Sequence, residues 1–192
     1  MDYITNNEYI LRLSAFIFFL LFIFIIESIF PIYIRSAKTY KRWLINFTFV
    51  FLNTLALRFL FPVLAVSFAG ICSQYNIGFL NYFNFPIWIA LILAFLFLDL
   101  GIWLQHLLFH HINFLWRFHK IHHSDEEVDF TTGVRFHPLE IIISMIYKLI
   151  LIAVIGPPVA LVIIFEIVLN ASSIFNHGNI KSVGYIFNQT AY

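Results

Sequence analysis

The chain has 192 residues, of which 61% are hydrophobic, 20% aromatic and only 11% charged, and its mean hydropathy is +0.90. A soluble domain of this length could not cover so much apolar surface, and a net charge of +1 gives no reason to expect a nucleic-acid partner. The one cysteine, Cys72, excludes an internal disulfide and a cysteine-based zinc site. We therefore predict a single all-α integral membrane domain over residues 1–192.

Four apolar stretches are long enough to place helices in a bilayer. A spanning helix needs roughly 20 apolar residues, and the stretches at about 10–30, 43–69 and 85–105 meet that length. The fourth, 139–175, is interrupted by Gly156-Pro157-Pro158, and two consecutive prolines break a helix. The pattern predicts three transmembrane helices followed by a helical hairpin, whose short arms also allow partial insertion.

The charged residues predict the orientation of these helices. The loop at 35–42 carries four basic residues, which the positive-inside rule places in the cytoplasm. The N-terminus and the uncharged loop at about 70–84 then face outward. The third span returns the chain to the cytoplasm, so the histidine-rich region 106–138 is predicted to form a cytoplasmic helical cap.

Two charged residues inside the hairpin are predicted to pair. Lys148 and Glu166 each lie nine residues from Pro157, on opposite arms. Antiparallel arms place them at the same depth, where an unpaired charge is expensive. The alternative is that each side chain reaches separately towards the membrane surface.

The third span leads into the first group of histidines, in the sequence HLLFHH. His106 and His110 are spaced i and i+4, so a helix places both on one face, where they can bind one metal. Asp99 precedes His106 by seven residues, and its carboxylate could accept the N–H of a ligating imidazole. His111 points about 100° away from His110 and is the weaker ligand.

A second group follows in the sequence HKIHH. On a helix, His119, His122 and His123 share one edge. The two groups offer more imidazoles than one tetrahedral metal can bind. This favours two metals, or one metal with further histidines around its ligands. A zinc peptidase of the HExxH type is disfavoured, because the first pair lacks the glutamate that would act as general base. Two further histidines, His137 and His177, lie at the cytoplasmic ends of the hairpin and can reach the cluster.

These residues resemble the fatty acid hydroxylase/sterol desaturase superfamily of integral membrane oxygenases. That family has a D-x6-HxxxH box, an HxxHH box, an R-x-HP-x-E segment and an H-x-N histidine. The matching residues are Asp99, His106, His110, His119, His122, His123, Arg135, His137, Pro138, Glu140, His177 and Asn179. The KRW run ending at Trp43 also looks like the stretch that precedes the family's second span, and the resemblance covers roughly residues 35–180.

The resemblance implies a di-iron centre that uses O2 to hydroxylate or desaturate a C–H bond of a lipid, of sterol or fatty acyl type. Electrons would come from a separate reductase or electron-transfer protein. The implied metal ligands are His106, His110, His119, His122, His123, His137 and His177, with Asp99, Glu140 and Asn179 as their hydrogen-bonding partners.

The family pattern also has a final HxxHH box, preceded by an Asn-Tyr-Gly segment, downstream of the position of His177. Neither occurs before Tyr192, so we expect the C-terminal part of the family's domain, with three ligands, to be missing from this sequence. The alternative to a lipid oxygenase is therefore a non-catalytic or truncated membrane protein of the same fold with an incomplete metal site. A metal transporter is less favoured, because its ligands should lie along the membrane segments rather than gather at one face.

Overall fold

The structure, a computed structural model, describes residues 7–36, 38–83 and 85–181. Within these ranges the secondary structure is helical, as predicted. The α-helices are α1 Glu8–Ile29, α2 Thr39–Leu60, α3 Ala65–Gln74, α4 Phe79–Tyr82, α5 Ile87–His111, α6 Asn113–His119, α7 Pro138–Ile155 and α8 Val159–Asn176. Two short 3-10 helices, His122–Ser124 and Thr132–Val134, lie between α6 and α7. Beyond the end of α5, residues 112–137 form a cap of short helices and turns, whereas residues 106–111 of the predicted cap belong to the last turns of α5.

Five helical segments in the described ranges are long and apolar enough to cross a membrane, so the chain is a multi-pass membrane protein. The segments are Glu8–Ile29, Thr39–Tyr82, Ile87–His111, Pro138–Ile155 and Val159–Asn176. Each arm of the hairpin has 18 residues, or about 27 Å of helix, close to the roughly 30 Å of a bilayer's hydrocarbon core. Both arms are therefore long enough for full spans. The predicted position of the N-terminus concerns residues 1–6, which lie outside the described residues.

The predicted span at 43–69 is not one continuous helix. Helix α2 ends at Leu60, and Phe61 adopts an extended conformation with φ −116° and ψ 104°. The reason is Pro62, which lacks an N–H and sterically disfavours helical geometry in the residue before it. The chain becomes helical again at Ala65, and α3 packs its small buried residues, including Cys72, against α7 and α8.

Two apolar clusters hold the helices together. The larger joins α3, α5, α7 and α8 through buried residues such as Ala94, Leu98, Ile152 and Val162. The smaller joins α1 to the cap and to the end of α8 through Ile23, Phe130, Ile174 and Ile180, with Trp43 packed against it. Because the second cluster lies beside the histidine-rich cap, it anchors the loop that carries the site.

The predicted ion pair within the hairpin is confirmed. Lys148 Nζ lies 2.8 Å from Glu166 Oε1. A third residue, Arg12 of α1, was not predicted, and its guanidinium lies 2.9 Å from the other oxygen of Glu166. The buried carboxylate is therefore shared by two cations, and this contact joins α1 to the hairpin.

Two glycines meet at the tip of the hairpin. Gly156 ends α7 in the left-handed region, with φ +68°. A Cβ there would lie 2.8 Å from the backbone oxygen of Ile77 and 2.7 Å from Asn81 Nδ2. Gly78 faces it with φ +100°, and a Cβ on Gly78 would lie 2.4 Å from the Gly156 nitrogen. The α3–α4 turn thus packs backbone to backbone against the hairpin tip.

We expect Gly156→Ala to destabilise the protein by about 2–4 kcal/mol, since a left-handed alanine costs about 1–2 kcal/mol and the new methyl group overlaps backbone atoms. The measurement is thermal unfolding in detergent. Gly70→Ala is the matched control, because a Cβ on this helical glycine meets nothing within 4 Å. Equal transition temperatures for the two variants would contradict the assignment.

Candidate metal centre

Four histidines from three segments converge at the end of α5. His106 and His110 occupy the last two turns of α5, His119 ends α6, and His123 lies in the first 3-10 helix. Their nearest ligand atoms all lie within 4.8 Å of one another. The Nε2 atoms are 3.1 Å apart both in the His106–His110 pair and in the His119–His123 pair. Residues up to 17 positions apart in the sequence thus share one small volume.

The spacing within each of these two pairs of nitrogens fits two ligands of one metal ion. A first-row metal binds imidazole nitrogen at about 2.1 Å, which places neighbouring ligand atoms about 3.0 Å apart in an octahedron and about 3.4 Å apart in a tetrahedron. Both 3.1 Å pairs match this range. Four neutral imidazoles suit iron, zinc, copper or nickel, and imidazole ligation alone does not distinguish among them.

Glu140 orients one of the four rings. Its Oε1 lies 2.7 Å from His119 Nδ1, and both side chains are buried. A carboxylate in this place accepts the Nδ1–H and leaves the Nε2 lone pair directed at the other histidines, the usual arrangement behind a metal-bound imidazole. The second oxygen of Glu140 is also buried and has no hydrogen-bond partner among the described residues.

The spacing predicted that His119, His122 and His123 share one helical edge. In the structure His122 does not lie on an edge with the other two. Helix α6 ends at His119, and the chain turns through two residues before the 3-10 helix. His122 consequently faces His177, with ring centroids 4.5 Å apart, and it stacks on Phe136. Its Nδ1 lies 3.2 Å from the carbonyl oxygen of Arg135 and can donate to it.

His177 is held in the same way. It follows the last residue of α8, and its Nδ1 lies 2.7 Å from the carbonyl oxygen of Ser173, to which it can donate. Both His122 and His177 therefore keep an unshared Nε2. The His122 ring also stacks on that of His119 at 5.5 Å, so this second pair adjoins the group of four.

The surroundings of three histidines favour their neutral form. Burial, with the neighbouring His177 and His123, lowers the pKa of His122 to about 2. Burial and His119 lower the pKa of His123 to about 4, and burial also lowers the pKa of His177. A neutral imidazole is the form that binds a metal.

Two further histidines lie outside both the group of four and the His122–His177 pair. His137 caps α7, where its Nδ1 accepts a hydrogen bond from the Leu139 N–H, and its ring stacks on Phe118. His111 is exposed, and its Nδ1 lies 2.9 Å from the Leu107 carbonyl oxygen of its own helix. His111 therefore behaves as expected from its position on the helix, whereas His137 contributes to the local structure of the loop.

Two of the predicted hydrogen-bonding partners also lie elsewhere. Asp99 is exposed and has no hydrogen bond or ion pair to a described residue; seven residues of helix put it about 10.5 Å from His106 along the axis. The role expected of Asp99 is filled by Glu140. Asn179 binds the backbone of Ile32 and Tyr33 instead of a histidine, and so fastens the end of α8 to the α1–α2 loop.

A network of charged residues holds the cap onto α1 and α2. At its centre is Asp125, which accepts hydrogen bonds from Arg42 at 2.7 Å, from Thr132 at 2.7 Å and from Asn46 at 3.1 Å. Arg135 lies 3.5 Å from the same carboxylate and donates to the carbonyl of Ile121. This carboxylate comes two residues after His123, so the network sets the path of the second histidine group.

A second buried carboxylate, Glu27 of α1, holds the loop between the two 3-10 helices and the residues that follow α8. It accepts the backbone N–H groups of Phe130 and Asn179, and Arg35 pairs with its other oxygen. Neither Asp125 nor Glu27 was predicted. Two signals pointed to them: a lone glutamate at the end of the first apolar stretch, and the acidic run after the second box, opposite the basic KRW run.

A comparison with protein families covers the half of the chain that contains these histidines. A family model described as fatty acid hydroxylase matches residues 91–192, which is more than half of the chain and includes all eight histidines. The match confirms the resemblance drawn from the spaced histidine boxes. Searches of curated proteins and of solved structures found no match.

Proposed function

We propose that this chain, which belongs to the fatty acid hydroxylase family, is a membrane-bound oxidoreductase that uses iron and O2 to hydroxylate or desaturate a lipid. The observation that carries the proposal is the convergence of four imidazoles from three segments at one end of the membrane helices. Such a donor set serves redox metals as well as zinc. The family favours a lipid oxidation reaction for the site.

The first iron would be held by His106, His110, His119 and His123, whose ligand atoms all lie within 4.8 Å of one another. His122 and His177 would supply two ligands of a second iron beside the first. His137, whose ring stacks on Phe118, is a weaker candidate ligand. Bound iron would supply the activation of O2 that an unactivated C–H bond requires.

The chain's own residues prepare the ligands. Glu140 fixes the ring of His119, and the carbonyls of Arg135 and Ser173 fix the rings of His122 and His177. Each contact occupies Nδ1 and leaves Nε2 to bind, so these three rings already hold the tautomer that a metal requires. Burial of His119 and His122 excludes water from that side of the site.

The position of the site suits a lipid substrate. His106 and His110 belong to a helix that is long enough to span the bilayer, so a lipid between the helices can approach the ligands from the membrane. Basic residues of the cap and of the first turn of α2 share this end, as the Arg42–Asp125 and Arg135–Asn46 contacts show. They support a cytoplasmic location, where an external electron-transfer protein or reductase would deliver electrons.

One observation favours the alternative of a non-catalytic metal-binding protein of the same fold. Three of the four converging histidines are exposed, and only His119 is buried. Among the described residues the site is therefore closed on one side and open on the other. A site open to water is less suited to controlled O2 chemistry.

The test is iron content together with lipid oxidation. The full chain is purified in lipid nanodiscs after expression with iron, and bound iron is measured for each chain. We expect up to two irons per chain. When a chemical reductant is added, a lipid should either gain the label from ¹⁸O2 or lose two hydrogens. Absence of bound iron would overturn the proposal. Iron without O2-dependent lipid oxidation would support the non-catalytic alternative.

A further inference from the structure

One tryptophan packs directly against the histidines. Trp116 lies on α6, between the two pairs that form the group of four. Its ring is 5.3 Å from that of His110, 5.6 Å from that of His123 and 6.1 Å from that of His119. The planes of Trp116 and the first two histidines differ by only 37° and 36°. The indole therefore covers two ligand rings that come from different segments.

The other aromatic residues of α6 are directed elsewhere. Phe114 is 60% exposed and packs on Phe118, which in turn stacks on His137. Trp116 is 36% exposed, and its ring contacts within the described residues are all with the group of four. One side of the indole thus faces the histidines and part of it reaches the surface.

This placement matters because His106, His110 and His123 are all exposed. A metal held by exposed imidazoles is lost when one ring rotates away and water or a competing ligand takes its place. A large flat side chain against the rings of His110 and His123 opposes that rotation and excludes water from one approach. Apolar groups around a metal site control solvent access in this way.

We propose that Trp116 is the outer wall of the four-histidine site and retains its metal by restraining His110 and His123. The proposal rests on the proposed function only in that the four histidines bind a metal. It assigns to Trp116 a specific effect, on the rate of metal release, that need not change the number of ions bound.

The experiment uses the full chain in detergent, loaded with Co²⁺ alone. Three quantities are measured: Co²⁺ per chain, tryptophan fluorescence as Co²⁺ binds, and the rate of Co²⁺ transfer to excess EDTA. We expect Co²⁺ to quench the Trp116 fluorescence of the wild type. Trp116→Phe should bind as much Co²⁺ but lose most of this quenching. Trp116→Ala should release the metal about 10-fold faster, and Trp116→Phe should fall between the two.

Two variants are the controls. Trp88 begins α5 about 27 Å along the helix axis from His106, so Trp88→Phe should keep the Co²⁺-dependent quenching. Phe114→Ala removes an exposed ring from the same helix and should leave the release rate unchanged. Quenching that survives in Trp116→Phe, or release from Trp116→Ala at the wild-type rate, would overturn the proposal. Should the wild type bind no Co²⁺, both this proposal and the proposed metal site fail. If Co²⁺ binds but the wild type and Trp116→Ala release it at equal rates, only the role proposed for Trp116 is overturned.

Discussion

Replacing His119 by alanine should abolish metal binding while the helices remain inserted in the membrane. His119 is the buried member of the four converging histidines and the one whose ring is oriented by Glu140. Its loss removes one ligand and leaves the Glu140 carboxylate without its partner. We expect metal affinity to fall by more than about 100-fold, beyond the effect of losing an outer hydrogen bond. Metal content of the purified chain measures it.

Two matched variants show whether the effect belongs to the ligand position. His111→Ala removes an exposed imidazole that contacts only its own helix among the described residues, so its metal content should stay near that of the wild type. Glu140→Gln keeps the shape of the side chain but weakens the orienting contact, and an intermediate loss of about 10- to 100-fold is expected. Equal losses in His111→Ala and His119→Ala would contradict the ligand assignment.

Replacing Asp125 by alanine should loosen the whole cap. The Asp125 carboxylate is 1% exposed, and its main partner Arg42 is 11% exposed. Removal of one member of a buried pair leaves the other charge without compensation, which typically costs about 3–5 kcal/mol. Glu127 and Asp129 also contact Arg42 and should reduce this cost towards the lower value. Thermal unfolding in detergent gives the loss of stability, and metal content shows whether His122 and His123 keep their positions.

The neighbouring acidic residue provides the control. Glu126 is exposed on the same turn, so Glu126→Ala removes a negative charge from the acidic run without disturbing a buried pair. We expect a change within about 0.5 kcal/mol. Similar unfolding temperatures for the Asp125 and Glu126 variants would show that the charge of the loop, rather than the Asp125 contacts, matters to the cap.

Much of the fold could be predicted from local features. Hydropathy identified the spanning helices, because a helix in lipid must be apolar along its length. The Pro157-Pro158 pair predicted the hairpin, and equal distances from it predicted the Lys148–Glu166 pair, since opposite arms descend at the same rise per residue. The i, i+4 spacing likewise placed His106 and His110 side by side, because both remain on one helix.

Predictions failed where a local pattern did not decide the structure. Pro62 divides the second span, although the apolar composition continues through it. The second box was expected on one helix, but α6 ends at His119, and the turn that follows directs the His122 ring towards His177. Of the two carboxylates expected beside the histidines, Asp99 makes no such contact, whereas Glu140, 21 residues from His119 in the sequence, does.

The sequence by itself determined the kind of protein and the residues available to it: membrane helices of a given length, a hairpin, and imidazoles at spacings that mark a family. These depend on composition and on distances along one helix. Only the tertiary structure decided which histidines meet, which carboxylate orients them, and that Arg42 and Asp125 hold the loop. Such contacts join residues that are far apart in the chain, and they exist only once the apolar packing has brought α1, α2, α7 and α8 together.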